Sequence, residues 1–249
     1  MKRLTILLVN LIICSNVSYT QESDQEFSDR YLSGLFKTFY SVDTEIANCM
    51  APIIEERLVS SLDDPANFKY PFKKLSEYVT IRRSEDSLVK TLSWDRINGG
   101  SWHDYASYIQ YKTKYGEVKY QRLDSGDEFS TGEPTSVTIY DISEFKVKSE
   151  TYYILMGYGT YGGGKKHILA RAYKIKGNEL ALCDAIFQGE KYLYIGANRG
   201  AKINLEFNPE SKTLSFDYYE FDGDVGFYKG DSRRVTLVFE NGEFVEQKN

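Results

Sequence analysis

The hydrophobic pattern changes period near residue 78, which divides the chain into a helical part and a β-rich part. Upstream, apolar residues recur every four positions along one stripe, as on the buried face of a helix. The stripe consists of Phe27, Tyr31, Leu35 and Phe39. A second apolar run continues to Leu62, and Asp63, Asp64 and Pro65 end it. The pattern therefore predicts a helical hairpin over residues 24–62, with Ser23 or Asp24 as its N-cap.

Downstream, apolar and polar residues alternate with period two, which indicates β-strands. The predicted strands are 78–83, 87–95, 104–112, 117–123, 136–147, 151–158, 167–175, 179–187, 191–196, 201–207, 212–219 and 233–240. Short connectors with Gly or Asn, such as Asn241–Gly242, favour antiparallel hairpins. We expect an α+β fold in which the helical hairpin packs on a large antiparallel β-meander, a curled sheet or sandwich. A weak hairpin repeat leaves a propeller-like arrangement as an alternative.

The N-terminus has the three parts of a secretory signal. Lys2 and Arg3 precede an apolar run over residues 4–14, and small or polar residues follow up to Thr20. We expect residues 1–20 to be a signal peptide, residues 21–66 the helical hairpin and residues 67–249 the β-rich domain, with the last two forming one unit. The protein is then exported to the periplasm or the extracellular space. Lipid attachment at Cys14 is the alternative, although the bulky Ile13 precedes it.

Two cysteines, Cys49 and Cys183, remain after removal of the leader. An exported protein can form a disulfide between them, but the apolar surroundings of Cys183 favour two separate, buried thiols. No apolar run downstream of the leader is long enough to span a membrane.

Charge argues against nucleic acid as a partner. The chain has 31 basic and 36 acidic residues, a net charge of −5, and loss of Lys2 and Arg3 leaves 29 against 36, or −7. An acidic chain without a basic block neutralises phosphates poorly. We therefore expect no nucleic-acid binding.

The densest group of functional residue types lies between residues 93 and 104. Trp94 and Trp102 stand close to Asp95 and His103, and aromatic rings with carboxylates suit the binding of sugars. The alternative is a structural turn in which Trp94 is buried and the glycines adopt positive φ. We expect Trp94 in the core and Trp102 exposed, because alternation groups Trp94 with Leu92.

A second candidate is the glycine-rich stretch 157–167, which contains Tyr158 and Tyr161. It does not match a phosphate-binding loop, because His167 follows the lysines and the next segment is strand-like. It is interpreted as a hairpin loop, with binding through its tyrosines as the alternative. The predicted binding residues are thus Trp102, His103, Asp95, Tyr158 and Tyr161.

The segment around the tryptophans also carries a resemblance. The sequence resembles a group of uncharacterised exported proteins from Bacteroidota-type bacteria. The residues that carry this resemblance are Phe68, Tyr70, Pro71 and Phe72 with Leu75, then 79–84, Asp86, Ser93–Trp94–Asp95, Gly99–Gly100 and Gln110–Tyr111. The resemblance implies an N-terminal helical part, a β-rich C-terminal half and export, and it assigns no catalytic residue. Ser101–Trp102–His103 departs from the group, which has a small residue and Thr there.

Signatures of catalysis are missing from the sequence. Gly-x-Ser-x-Gly, His-Glu-x-x-His and CxxC are all absent, and we predict no metal or cofactor. Two hypotheses remain: a non-catalytic binding or interaction module of the cell envelope, whose ligand is a glycan or a protein, and a carboxylate-dependent hydrolase acting on a glycan. Two facing carboxyls, one with a raised pKa, beside Trp94 or Trp102 would favour the hydrolase.

Overall fold

The computed structural model describes residues 22–97, 103–123 and 136–247, without the side chain of Tyr161. The predicted signal peptide therefore lies outside the described residues. The helices are α1 (Asp24–Phe39), α2 (Thr44–Asp63) and α3 (Ala66–Lys69), followed by a 3₁₀ turn (Leu75–Glu77). The strands are β1 (Thr80–Arg83), β2 (Val89–Asp95), β3 (Tyr105–Lys112), β4 (Val118–Arg122), β5 (Thr138–Val147), β6 (Glu150–Tyr161), β7 (Lys165–Lys176), β8 (Glu179–Leu182), β9 (Tyr192–Asn198), β10 (Glu206–Asn208), β11 (Thr213–Asp222), β12 (Phe227–Glu240) and β13 (Glu243–Glu246).

The predicted helical hairpin is present, and its start follows from local hydrogen bonding. The Ser23 hydroxyl accepts from the Glu26 N–H, and the Glu26 carboxylate accepts from the Ser23 N–H, which forms a capping box. Asp43 caps α2 in the same way through the N–H of Ile46. Both caps satisfy N–H groups that the first helical turn leaves unpaired.

The buried face of α1 differs from the predicted stripe. Leu32, Phe36 and Phe39 are buried, whereas Phe27 and Tyr31 are 53% and 44% exposed. A 3.6-residue period drifts relative to a strict spacing of four, so the far end of such a stripe rotates away from the core. The sequence therefore predicted the helix correctly and its buried face only in part.

The strands form three separate antiparallel sheets. The first sheet has the order β1-β2-β3-β4, and the third has the order β10-β11-β12-β13. In the second sheet, β5, β6, β7 and β8 are consecutive neighbours, and β9 also pairs with β7. None of the sheets closes on itself, and the α+β class with a helical hairpin on antiparallel sheets is confirmed.

The helices and the three sheets stack in four layers, each interface holding its own hydrophobic cluster. Helices α1 and α2 pack on the first sheet through Leu32, Phe36, Leu58, Leu92 and Trp94, among others. The first and second sheets meet at Val89, Ile109, Val137, Leu155 and Leu169. The second and third sheets meet at Ile154, Ala170, Ile195, Phe216 and Leu237. This layered order distinguishes the fold from the propeller-like alternative.

A polar row crosses the first sheet beneath the ends of the helices. Arg83, Lys90 and Gln110 are partners in register on β1, β2 and β3. Their bonds run from Gln110 Nε2 to Leu62 O (2.8 Å), from Lys90 Nζ to Asn67 O (2.8 Å) and from Arg83 Nη2 to Phe68 O (2.5 Å). The row thus supplies donors to carbonyls at the ends of α2 and α3.

Both remaining cysteines carry free thiols, Cys49 exposed on α2 and Cys183 half-buried after β8. Separate thiols were predicted, but Cys49 is exposed rather than buried. No helix within the described ranges combines the length and apolar character needed to cross a membrane.

Candidate functional site

The first sheet brings two of the predicted binding residues together. Asp95 ends β2 and lies opposite Tyr105, the first residue of β3. His103 stands two residues before Tyr105, so the β2–β3 connection returns it to Asp95. The Nδ1 atom of His103 bonds to Oδ2 of Asp95. A carboxylate only accepts hydrogen bonds, which places the proton of a neutral His103 on Nδ1 and leaves Nε2 as an acceptor.

The Asp95–His103 pair is held from several sides. The second carboxylate oxygen of Asp95 accepts from the Ile97 N–H at 2.8 Å, and its backbone carbonyl accepts from the Tyr40 hydroxyl at 3.1 Å. The His103 ring stacks on the Tyr105 ring, with centroids 6.1 Å apart and planes 19° apart. These contacts fix the orientation of the imidazole. The side chains of His103 and Asp95 are 36% and 24% exposed, so solvent reaches the pair.

The neighbouring tyrosines keep their protons at physiological pH. Burial raises the pKa of Tyr105, and the nearby Asp95 and Tyr158 raise it further. Burial followed by the charge of Asp95 also raises the pKa of Tyr40. Both phenols therefore stay neutral and can act as hydrogen-bond donors. Tyr158, on β6, is half-buried and close enough to influence Tyr105.

Ion pairs surround the site and cancel each other's charges. Arg96 bonds to Asp104 at 3.0 Å and lies 3.5 Å from Glu55 of α2. Glu55 also forms an ion pair with Arg122 at 3.3 Å and accepts a hydrogen bond from the hydroxyl of Tyr108 at 2.6 Å. This network anchors the β2–β3 connection to α2 and adds no net charge beside His103.

The second histidine of the chain is buried close to the same end. His167 of β7 lies between Gly159 of β6 and Gly196 of β9 and stacks on Tyr194, with centroids 5.3 Å apart. Burial lowers its pKa to about 4, which keeps His167 neutral near pH 7. His167 is therefore a packed side chain, while His103 is the solvent-accessible histidine.

The close packing of His167 predicts a steric effect at Gly159. A Cβ added there would overlap the imidazole of His167 and the carbonyl of Ser136. We expect Gly159→Ala to lower the free energy of unfolding by about 1–3 kcal/mol, as overpacking does. Denaturant unfolding measures the change. Gly162→Ala in the same hairpin is the control, since nothing lies within 4 Å of the added Cβ there. Equal stability of both variants would contradict this packing.

The glycine-rich stretch forms the hairpin of β6 and β7, as interpreted from the sequence. Gly163 and Gly164 have φ of +73° in its turn, which favours glycine. Lys165 donates to the carbonyl of Gly226 at 3.3 Å, so this hairpin contacts the β11–β12 hairpin. The side chain of Tyr161 lies outside the description, and its role stays a prediction.

The five predicted binding residues thus have different outcomes. Asp95 and His103 are bonded, and Tyr158 lies near the ring on which His103 stacks. Trp102 lies outside the described residues. Sequence reasoning missed Tyr40 and Tyr105. Tyr105 has a sequence signal, because a hairpin joining 87–95 to 104–112 sets it near Asp95, whereas Tyr40 has none.

A pair of carboxyls, Asp86 and Glu144, lies at the opposite end of β2, and Glu144 has a raised pKa. Burial and the neighbouring Asp86 raise the pKa of Glu144, whose carboxylate accepts from the Asp86 N–H at 3.2 Å. Asp86 also accepts from the hydroxyls of Tyr153 (2.8 Å) and Ser84 (2.7 Å). Asp86 stands between β1 and β2 and Glu144 is on β5, while Trp94 stands near the far end of β2. The described residues contain no group of three or more His, Cys, Asp or Glu side chains arranged to hold a metal ion.

No protein-family model, curated protein or solved structure matches the chain.

Proposed function

We propose that the protein is an exported, non-catalytic binding module of the cell envelope and that it binds its ligand at the Asp95–His103 pair. The pair carries the proposal because it combines solvent access with a fixed orientation. A rigid group needs little ordering when a ligand arrives, and this favours affinity. The N-terminal leader pattern, and the resemblance to exported proteins, support the location.

The position of the carboxyl pair favours a binding module over a glycan hydrolase. A hydrolase of the expected kind needs two carboxyls beside the aromatic binding residues. Glu144 has the raised pKa, but it bonds to Asp86, which lies at the other end of β2 from Trp94 and accepts from the hydroxyl of the buried Tyr153. Asp95 is instead bonded to a histidine.

Co-sedimentation with isolated envelopes of the native host tests the proposal. We expect the protein to sediment with the envelopes and His103→Asn to bind roughly ten- to a hundredfold more weakly, the effect of losing one buried or ligand-facing hydrogen bond. Glu150→Gln, which removes an exposed ion-pair partner of Lys174, is the control and should bind like the parent protein.

Two results would contradict the proposal. Equal sedimentation of His103→Asn and the parent protein would remove the binding role of this site. Release of soluble sugar fragments from the envelopes, dependent on the protein, would identify an enzyme instead. Cell fractionation supplies the remaining check, since an exported protein is absent from the cytoplasm and begins near Gln21 after removal of its leader.

A further inference from the structure

We infer that the ligand of the Asp95–His103 pair is a neutral, hydroxyl-rich saccharide and that one of its hydroxyls donates a hydrogen bond to Nε2 of His103. This inference rests on the proposed function, and it names the class of ligand and the atom that recognises it. It follows from the tautomer of His103, from the partly exposed aromatic ring beside the pair and from the charge of Asp95.

The tautomer determines which groups the site accepts. In the neutral form of the imidazole, Nδ1 donates its proton to Asp95, and Nε2, on the other side of the ring, carries a lone pair. Among the described residues, no group bonds to Nε2 of His103. A ligand that approaches this atom must therefore bring a donor. Hydroxyls meet this need, and a site built to bond a hydroxyl discriminates strongly against analogues that lack it.

A partly exposed aromatic ring lies beside the pair, and a buried one supports it. Tyr105 supports the imidazole from below but is buried, whereas Tyr40 bonds to the backbone of Asp95 and keeps 36% of its surface exposed to a ligand. Tyr40 also stacks on Tyr78, with centroids 6.4 Å apart and planes 17° apart. Stacked rings present a rigid apolar surface next to polar atoms. A sugar ring has the matching character, with C–H groups on its faces and hydroxyls around its edge.

The carboxylate of Asp95 and the need for a donor at Nε2 disfavour an anionic ligand, although the charge of Arg199 also acts on the nearby Tyr105. Arg96 is committed to Asp104 and Glu55, and Arg122 also contacts Glu55. The carboxylate of Asp95 itself lies beside the imidazole, to which it is bonded. A ligand phosphate or carboxylate at Nε2 would offer no donor, and Asp95 would repel it. A neutral saccharide meets neither obstacle.

Nitrogen NMR of the histidines tests the first step of the inference. The chain has 2 histidines, so ¹⁵N-labelled imidazoles give two readily assigned sets of signals, and His103→Asn identifies those of His103. We expect His103 to carry its proton on Nδ1 near neutral pH. Asp95→Asn lets the amide donate to Nδ1 and should move the proton to Nε2. A proton on Nε2 in the parent protein would overturn the inference.

The second test separates the ligand class from the proposed function. The probe is deproteinised envelope polysaccharide from the native host, used to compete with envelope binding and to shift the Nε2 signal of His103. We expect the polysaccharide to compete and to shift the signal, and we expect both effects to disappear after periodate cleaves its vicinal diols. For Asp95→Asn, competition by the polysaccharide should be at least roughly tenfold weaker than for the parent protein. Asp95→Asn is expected to weaken binding by moving the proton of His103 to Nε2. The ¹⁵N signals of His103 show this change of tautomer and distinguish it from loss of binding through misfolding.

The outcomes are distinguishable. If envelopes bind the protein but the polysaccharide does not compete, and protease treatment of the envelopes abolishes binding, the ligand is a protein: the inference fails and the proposed function stands. If an acidic fraction of the polysaccharide alone competes, the ligand is anionic and the inference fails. If the envelopes do not bind the protein at all, the proposed function fails first.

Discussion

Trp94→Ala is expected to lower the free energy of unfolding by about 3–5 kcal/mol, the usual cost of removing a large buried aromatic side chain. Only 4% of the Trp94 surface is exposed. Its ring meets Phe36 of α1 edge to face at 5.6 Å and stacks on Tyr108 of β3 at 5.9 Å, with planes 5° apart. One side chain thus joins the helical layer to the first sheet, and its removal leaves a cavity between them.

Chemical denaturation followed by circular dichroism measures this loss. Tyr115→Ala is the matched control, because Tyr115 is 73% exposed in the β3–β4 turn and should change stability by less than about 0.5 kcal/mol. The midpoint of Trp94→Ala should fall while the slope of the transition stays the same. A loss below about 1 kcal/mol, or one no larger than for Tyr115→Ala, would show that Trp94 does not join the layers.

The class of the fold could be predicted from local patterns, because period and capping act over a few residues. The 3.6-residue stripe, the Ser23 capping box and the strand pattern of β2 all lie within single elements. Trp94 was predicted in the core with Leu92 and is buried there, although β2 is buried on both faces. The exposure of Trp102 stays a prediction.

The division into three stacked sheets could not be predicted. Short connectors show that consecutive strands pair, but they do not show where a sheet ends and the chain crosses to the next layer. The β4–β5 and β9–β10 connections make these crossings. Their position depends on packing between residues far apart in sequence, as between Ile109 and Val137 in one cluster. Predicted strand 201–207 appears as Glu206–Asn208, and β13 was missed.

The candidate site shows the same limit. Asp95 and His103 lie eight residues apart across one hairpin, so a sequence argument can bring them together. Tyr40 reaches Asp95 from 55 residues away through the packing of α1 on the first sheet, and no local pattern indicates it. Lys90 lies on the same face of β2 as Leu92 and Trp94, so this face of the strand buries a lysine.

That buried lysine has the second large expected effect, a stability that rises with pH. Lys90 is fully buried, and it is the direct partner of Arg83 on the neighbouring strand. Its ammonium donates to the Asn67 carbonyl and lies 5.8 and 5.1 Å from the ring centres of Phe68 and Phe72. Burial, followed by the charge of Arg83, lowers the pKa of Lys90 to about 7.

The sign of the effect follows from proton binding. An unfolded lysine has a pKa near 10.4, so between pH 7 and that value the unfolded chain holds a proton that the folded protein has released. Stability therefore increases with pH over this range by up to about 1.4 kcal/mol per pH unit. The cost of the buried charge is fully present below pH 7. Above pH 10 the direction reverses, because burial raises the pKa of Tyr40 and Tyr140 in the folded protein.

Lys90→Met isolates this contribution, since methionine keeps most of the side-chain volume and cannot titrate. We expect the difference in unfolding free energy between Lys90→Met and the parent protein to change by about 3 kcal/mol between pH 7 and 9.5, in favour of the parent as pH rises. Lys114→Met, at an exposed lysine of the β3–β4 turn, should leave the pH profile unchanged. Urea unfolding at a series of pH values measures both. Parallel profiles for Lys90→Met and the parent protein would show that Lys90 keeps an ordinary pKa. The row of Arg83, Lys90 and Gln110 would then hold the helix ends without cost from a buried charge.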